Sequence, residues 1–245
     1  MDHVHLTLII PTLNKLDTAR FLAARVRDLL PELGVEAIIV TPDASRLDDS
    51  NAYIRYVSDL RRGVYAAYAQ GLRAARGEYV WFMGDDDYPL DGVTSLTHFL
   101  QSGNADLFVA PVVLSNGYVF RPTRSVFLLH FINWVQQGVI YRRRVLARHR
   151  FFRRLTVQAD QYVNILLRSD PAVKVVFTSQ PICVFGAGGI SSRVRDAGYP
   201  SVQLPLARRT LGSSGFVLFI LLAAAKPLIK RLFARVLLGR QGPSS

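Results

Sequence analysis

Apolar residues follow two alternating rhythms along the first half of this chain. Leu6 to Ile10 is a short, β-branched run stopped by Pro11, which predicts a buried parallel strand. From about Leu16 to Leu30 the apolar positions (Leu16, Ala19, Leu22, Ala23, Val26, Leu29, Leu30) recur at helical spacing, so one face of a helix is expected to pack on the sheet. Glu36 to Val40 and Tyr53 to Val57 repeat the strand pattern. Gly63 to Arg76 is Ala-rich and predicts a helix with Gly77 as its C-terminal cap. Tyr79 to Met83 is a fourth strand that runs straight into Gly84-Asp85-Asp86-Asp87. The second half is less regular. It predicts a helix over Gly92 to Leu100 and strands at Leu107 to Leu114 and Tyr118 to Arg121 around the turn Ser115-Asn116-Gly117. A helix from Asp160 to Leu167 and strands at Val173 to Thr178 and Ile182 to Phe185 follow.

This order of strands and helices predicts an open α/β sheet. Ligands of such sheets bind outside the carboxyl ends of the strands. Three polar clusters follow strand ends here: Pro11 to Asn14, Asp43 to Ser45 and Asp85 to Asp87. One crevice is expected to gather them.

The acidic triplet carries the strongest chemical constraint. Three successive carboxylates raise one another's pKa unless a cation compensates. Mg2+ or Mn2+ suits them, because both take hard oxygen ligands and keep positions open for substrate phosphates. If strand geometry continues past Met83, Asp85 and Asp87 point the same way and Asp86 the other. One of that pair then holds the metal and the other is left to the ribose of a nucleotide, the metal bridging a diphosphate. A solvated acidic turn ahead of Tyr88-Pro89-Leu90 is the plainer alternative.

Composition narrows the partners. The 245 residues carry a formal net charge of +12, which implies an anionic partner: nucleic acid, an anionic membrane or a phosphorylated substrate. The charge is segregated. Leu107 to Ala159 holds nine arginines and no acid, and Leu206 to Ser245 is again basic and free of acids. Arg142 and Arg143 are the best candidates to steady a pyrophosphate or a lipid phosphate, against a plain solvated basic face. Cys183 is the only cysteine, so no intrachain disulfide forms, as suits a reducing cytoplasm. The N-terminus lacks the basic region and cleavage site of a signal peptide.

The ordered motifs resemble the large inverting glycosyltransferase family two, and its bacterial members that make surface polysaccharides. The resemblance rests on Leu8-Ile9-Ile10-Pro11-Thr12-Leu13-Asn14, on Gly63-Val64-Tyr65 with Ala67 and Gly71, and on Ala74 to Gly84 leading into the triplet. Gln137 to Arg143, Ala159-Asp160-Gln161-Tyr162 and Phe185 to Ser191 continue it. It implies a GT-A fold over residues 1–205, with a nucleotide-binding half of about 1–100 and an acceptor half of about 101–205. It implies transfer of one sugar from a nucleotide-sugar donor to a hydroxyl of a lipid-linked glycan. Pro11, Thr12 and Asn14 would line the nucleotide, with Asp85 and Asp86, and Asp85 and Asp87 would hold the metal. Asp160 would be the general base, against a plain helix N-terminal carboxylate. The chain departs from the family where Pro42 takes the place of a base-contacting Asp, so Asp43 is expected to substitute. Arg61, Ala69 and Gln136 also stand where the family usually has Asp, Asn and His.

The tail, 206–245, adds a membrane expectation. Phe216 to Ala225 is an apolar run of ten residues, too short to span a bilayer. Beyond it Lys226, Lys230, Arg231 and Arg235 fall on one half of a helical projection and Leu228, Ile229, Leu232, Phe233 and Val236 on the other. This predicts a helix lying on an anionic membrane surface, against one packed on the core. The enzyme is then cytoplasmic and peripheral on the inner face of the cell membrane. Two competing classes predict other features. A nucleotidyltransferase needs a Gly-rich basic loop after the first strand, which Pro11 to Asn14 does not supply. A non-catalytic basic module binding nucleic acid or membrane predicts no acidic cluster in the cleft, and Asp85 to Asp87 would repel nucleic acid.

Overall fold

The computed structural model describes residues 3–47, 52–148, 155–186 and 196–238, with side chains as far as 225. Its centre is strand β1 (Leu6–Pro11), flanked in parallel by β2 (Val35–Thr41) and β4 (Tyr79–Phe82), with β3 (Ile54–Ser58) parallel beyond β2. Register runs Leu6 to Val35 and Leu6 to Tyr79. The crossovers carry α1 (Leu16–Leu29) and α2 (Val64–Ala74). Leu8 and Ile10 pack towards Leu22, Ala23 and Val26 of α1, while Ile9 packs towards Ala67 and Tyr68 of α2. Both sheet faces are covered, which is why β1 reads as an unbroken apolar run.

Gly77 does not cap α2. The helix ends at Ala75 in an extended conformation (φ −61°, ψ 135°), and Gly77 then presses against β1. A Cβ there would sit 2.6 Å from the Thr7 amide nitrogen, so the glycine answers a close backbone approach. Its N–H donates to Thr7 Oγ1 (2.8 Å), and Thr7 donates to the buried Glu36 Oε1 (2.7 Å). Arg76 N–H and Arg55 complete the Glu36 shell, so this internal carboxylate is paired.

After β4 come β5 (Tyr88–Pro89), a 3-10 turn (Asp91–Leu96) and α3 (Thr97–Ser102). The predicted strand 107–114 is two strands. β6 (Leu107–Val109) joins the large sheet and β7 (Val112–Leu114) a small one, because Pro111 lies between them and has no N–H for a ladder. β8 (Val119–Phe120) pairs with β7 around the predicted turn. The short α4 (Val126–Leu129) leads to β9 (Val139–Arg142), which lies antiparallel between β4 and β6. Next come α5 (Arg143–Arg148), α6 (Ala159–Ser169), β10 (Val175–Phe177), β11 (Cys183–Phe185) and α7 (Tyr199–Leu238). The large sheet has the order β10-β6-β9-β4-β1-β2-β3, and the small one β5-β11-β7-β8. This mostly parallel sheet between helices matches the α/β expectation.

The expected boundary at 205/206 falls inside α7, which breaks instead at Gly212 (φ 65°, ψ 179°). Before the break α7 packs on α4 and α6, with Leu206 and Ala207 buried. After it Phe219 is buried against the His130 and Phe131 rings, while Val217, Leu218 and Leu221 are exposed. The helix extends beyond the ten-residue apolar run on both sides, and Tyr199–Ala225 is long and apolar enough to cross a membrane, with a mean hydropathy of 1.4. The predicted split of basic and apolar positions from Lys226 to Val236 lies outside the described side chains.

Candidate active site

The carboxyl ends of β1 and β4 open into a cleft of about 1100 Å3. Pro11, Thr12, Asn14, Lys15, Asp85, Asp86, Asn133, Gln136 and Asp160 all line it. The first and third polar clusters therefore meet. Thr12 Oγ1 donates to Asp85 Oδ2 (2.7 Å) and accepts from the Lys15 N–H (3.0 Å), while Lys15 Nζ lies 3.5 Å from Asp85 Oδ1.

The second cluster stays outside. After Thr41 the chain winds into a 3-10 turn (Ala44–Arg46), which leaves Asp43 exposed and away from the cleft lining. Asp59 and Arg61, on the loop after β3, reach the cleft instead. Asp59 Oδ1 accepts the Arg61 N–H (2.8 Å), and Arg61 sits at φ 53°, an uncommon conformation for an arginine.

The triplet is arranged differently from a continued strand. β4 stops at Phe82 and Asp85-Asp86 form a turn, so Asp85 and Asp87 do not share an open face. Asp85 and Asp86 face the cleft, whereas Asp87 is buried behind them. Asp87 Oδ2 accepts the Gly84 N–H (2.5 Å) and Oδ1 the Gly186 N–H (3.0 Å). Burial pushes its pKa up to about 7, the two N–H groups oppose this, and the neighbouring Asp86 charge adds to the rise. Asp85 and Asp86 thus line the cleft, while both oxygens of Asp87, the other expected metal ligand, accept backbone N–H groups. The hard oxygens of Asp85 and Asp86 fit Mg2+ or Mn2+ when a ligand's phosphates supply the remaining positions. Among the described residues no group of three His, Cys, Asp or Glu converges as a protein cage.

Arg142 and Arg143 lie at the wrong end of the sheet for the expected phosphate contacts. Arg142 pairs in register with Tyr79, at the start of β4, while the triplet follows its end. Its guanidinium bonds Glu78, donates to Gly103 O (2.8 Å) and sits 3.5 Å from Asp106. Arg143 Nε donates to Gly77 O (2.7 Å). Both guanidinium groups therefore bond residues at the start of β4 or beside it, at the end of the strand away from the triplet.

Asp160, near the start of α6, is buried to 8% exposure yet lines the cleft. Oδ1 accepts the Gln161 N–H (2.8 Å) and Oδ2 accepts Asn133 Nδ2 (2.7 Å). Burial raises its pKa from 3.8 to about 6, against the pull of hydrogen bonds from Tyr65, Gln161 and Asn133. The turn before it is fixed by Asp196, whose carboxylate accepts the N–H groups of Thr156, Val157 and Gln158, each at 2.8 Å. Lys15, Asp59, Asn133 and Asp196 carried no motif in the sequence, and Arg61 was marked only as standing where the family usually has Asp. Of the four, Lys15 had a signal, since it directly follows the first polar cluster. Gly188 to Ser191, the end of the last quoted motif, lie outside the described residues.

The family model described as "Glycosyl transferase family 2" matches residues 7–162. No curated protein matches in sequence. Among solved structures, this fold is similar to S. aureus TarS, with a TM-score of 0.61, 15% identity, and 85% of this chain and 40% of that chain covered. It is similar to S. aureus TarS 1-349 in complex with UDP-GlcNAc, with a TM-score of 0.61, 16% identity and coverage of 84% and 65%. For TarS 1-349 in complex with UDP the TM-score is 0.58, the identity 15% and the coverage 88% and 65%. The chain thus covers less than two thirds of the length of each of these neighbours.

Proposed function

This chain belongs to glycosyl transferase family 2, and from that premise we propose that it moves one sugar, with inversion, from a nucleoside-diphosphate sugar to a hydroxyl of a lipid-linked glycan in surface polysaccharide synthesis. The observation that carries this reading is a single cleft lined by the carboxylates Asp85 and Asp86 and by the buried carboxylate Asp160. The TarS complexes with UDP-GlcNAc and UDP make uridine-diphosphate sugars the first donors to test.

Asp160 takes the proton of the acceptor hydroxyl as that oxygen bonds to the anomeric carbon. The bond from that carbon to the diphosphate oxygen breaks, and its electron pair leaves with the diphosphate. Attack from the face opposite the leaving group inverts the centre through an oxocarbenium-like transition state. Pro11, Thr12 and Asn14 shape the nucleotide side, and Lys15 and Arg61 supply positive charge at the same cleft. Asp85 and Asp86 would hold a divalent ion, Mg2+ or Mn2+, whose charge offsets that of the leaving diphosphate.

The domain reading follows the chain's break. The catalytic domain extends to Gly212, and the apolar face beyond it lies on an anionic membrane, bringing the cleft to a membrane-borne acceptor. Thermal shift tests the donor site. UDP with Mn2+ is expected to raise the apparent melting temperature of the wild type. Asp86→Ala is expected to fold normally and lose most of that rise. An equal rise in the variant contradicts the assignment.

A further inference from the structure

Asp160 stands at the end of an internal hydrogen-bond relay. Asn133 Nδ2 donates to Asp160 Oδ2 at 2.7 Å. Asn164 Nδ2 donates to Asn133 Oδ1 at 3.1 Å, and the Tyr141 hydroxyl donates to Asn164 Oδ1 at 2.7 Å. Asn164 lies one helical turn after Asp160 on α6, Tyr141 is on β9, and Asn133 is on the loop between α4 and β9. Asn164 is fully buried, Tyr141 is 1% exposed, and Asn133 borders the cleft.

The direction of this relay is forced. An ionised carboxylate only accepts, so Asn133 must turn its NH2 group towards Asp160. Its oxygen then faces Asn164, whose own NH2 must fill that position. The Asn164 oxygen in turn faces Tyr141, which must donate. Every dipole along the relay points its positive end at Asp160, and such bonds strengthen one another in a dry interior. A protonated Asp160 could still accept the Asn133 bond, but a neutral oxygen accepts it more weakly than a carboxylate, so the relay favours the ionised form.

Resting on the reading of Asp160 as the base, we propose that Asn133 is a positioning residue that keeps Asp160 ionised and oriented, with Asn164 and Tyr141 fixing the Asn133 amide. A buried carboxylate without such partners retains its proton at neutral pH and cannot accept one from a hydroxyl. The titratable groups that face Asp160 are mainly phenols: Tyr65 and Tyr68 from α2, Tyr141 from β9 and Tyr199 from α7. Burial pushes all four well up, so they stay neutral across the working range. His130, on the loop before Asn133, is pushed down to about 4 by burial and is neutral too. Asp196 is the nearby carboxylate, and it is turned to the 156–158 N–H groups. Among the described residues, hydrogen bonds from Tyr65, Gln161 and Asn133 are what chiefly offset the cost of burying the Asp160 charge.

The test is a carbon-13 titration of the Asp160 carboxyl in the full chain in detergent micelles, its signal assigned by its loss in Asp160→Asn. In Asn133→Ala the proton affinity of Asp160 is expected to rise about tenfold. Tyr141→Phe, which keeps the buried ring, is expected to move it the same way by less. A merely structural role for Asn133 leaves the midpoint in place. An unmoved or lowered midpoint in folded Asn133→Ala overturns the proposal and leaves the base assignment intact. The titration needs no donor, so the base is checked separately: sugar transfer by Asp160→Asn at the wild-type rate overturns both.

Discussion

Asp86 and Asp160 line one cleft, yet their surroundings differ. Asp86 is open to solvent, whereas Asp160 is buried. A base acts only when deprotonated, and burial raises the folded-state pKa of Asp160 to about 6. The rate constant kcat/KM is therefore expected to be level above pH 7 and to fall about tenfold per pH unit well below 6. A pH-rate profile flat down to pH 4.5 would exclude Asp160 as the proton acceptor. Arg142 belongs to a different problem. Its guanidinium is held among Glu78, Gly103 and Asp106, so Arg142→Ala removes the best-buried cation from both carboxylates and leaves Asp106 only the exposed Arg144 at 3.8 Å. The expected loss is about 3 kcal/mol of stability by denaturant unfolding, with UDP affinity of the folded protein unchanged. A folded variant of normal stability but weakened nucleotide binding would return Arg142 to the phosphate site.

Elements with a strong local signal were legible. The runs at β1, β2 and β4 and the periodicity of α1 predicted their elements to within a residue or two. Pairing over long range was not legible, which is why β9 went unpredicted as a strand: nothing local says that Val139–Arg142 inserts antiparallel between β4 and β6. Pro111 was a readable break that the surrounding apolar run obscured. α7 packs on α4 and α6, and among the described side chains past Gly212 only Phe219 is strongly buried while Val217, Leu218 and Leu221 remain exposed. Removal of Gly215 to Ser245 is expected to release the protein from anionic vesicles in a flotation assay, with the cleft side of α7 still in place. Full-length protein that stays at the bottom of the gradient would contradict a membrane role for this helix.

At the scale of the whole molecule, topology does what sequence motifs alone could not. Gathering at strand ends brings Thr12 to Asp85 across 73 positions. Asp43 is not among the residues lining the cleft, because the direction a loop takes after its strand is set by local turns and not by the sheet. Sequence motifs also missed Asn133 and Asp196, whose contribution depends on where α6 and α7 dock. Charge segregation was legible, but the function of each basic residue was not: Arg142 and Arg143 come from the same basic run that was expected to meet phosphate, and register turns them to the opposite end. A cleft shared by Asp85, Asp86 and the base Asp160 is the central claim, and sugar transfer from a panel of nucleotide sugars by wild type and Asp160→Asn tests it most directly. One donor is expected to be turned over by the wild type, with the variant slower by about a hundredfold or more while UDP with Mn2+ stabilises both proteins equally. Transfer at the same rate by a folded Asp160→Asn would contradict the account.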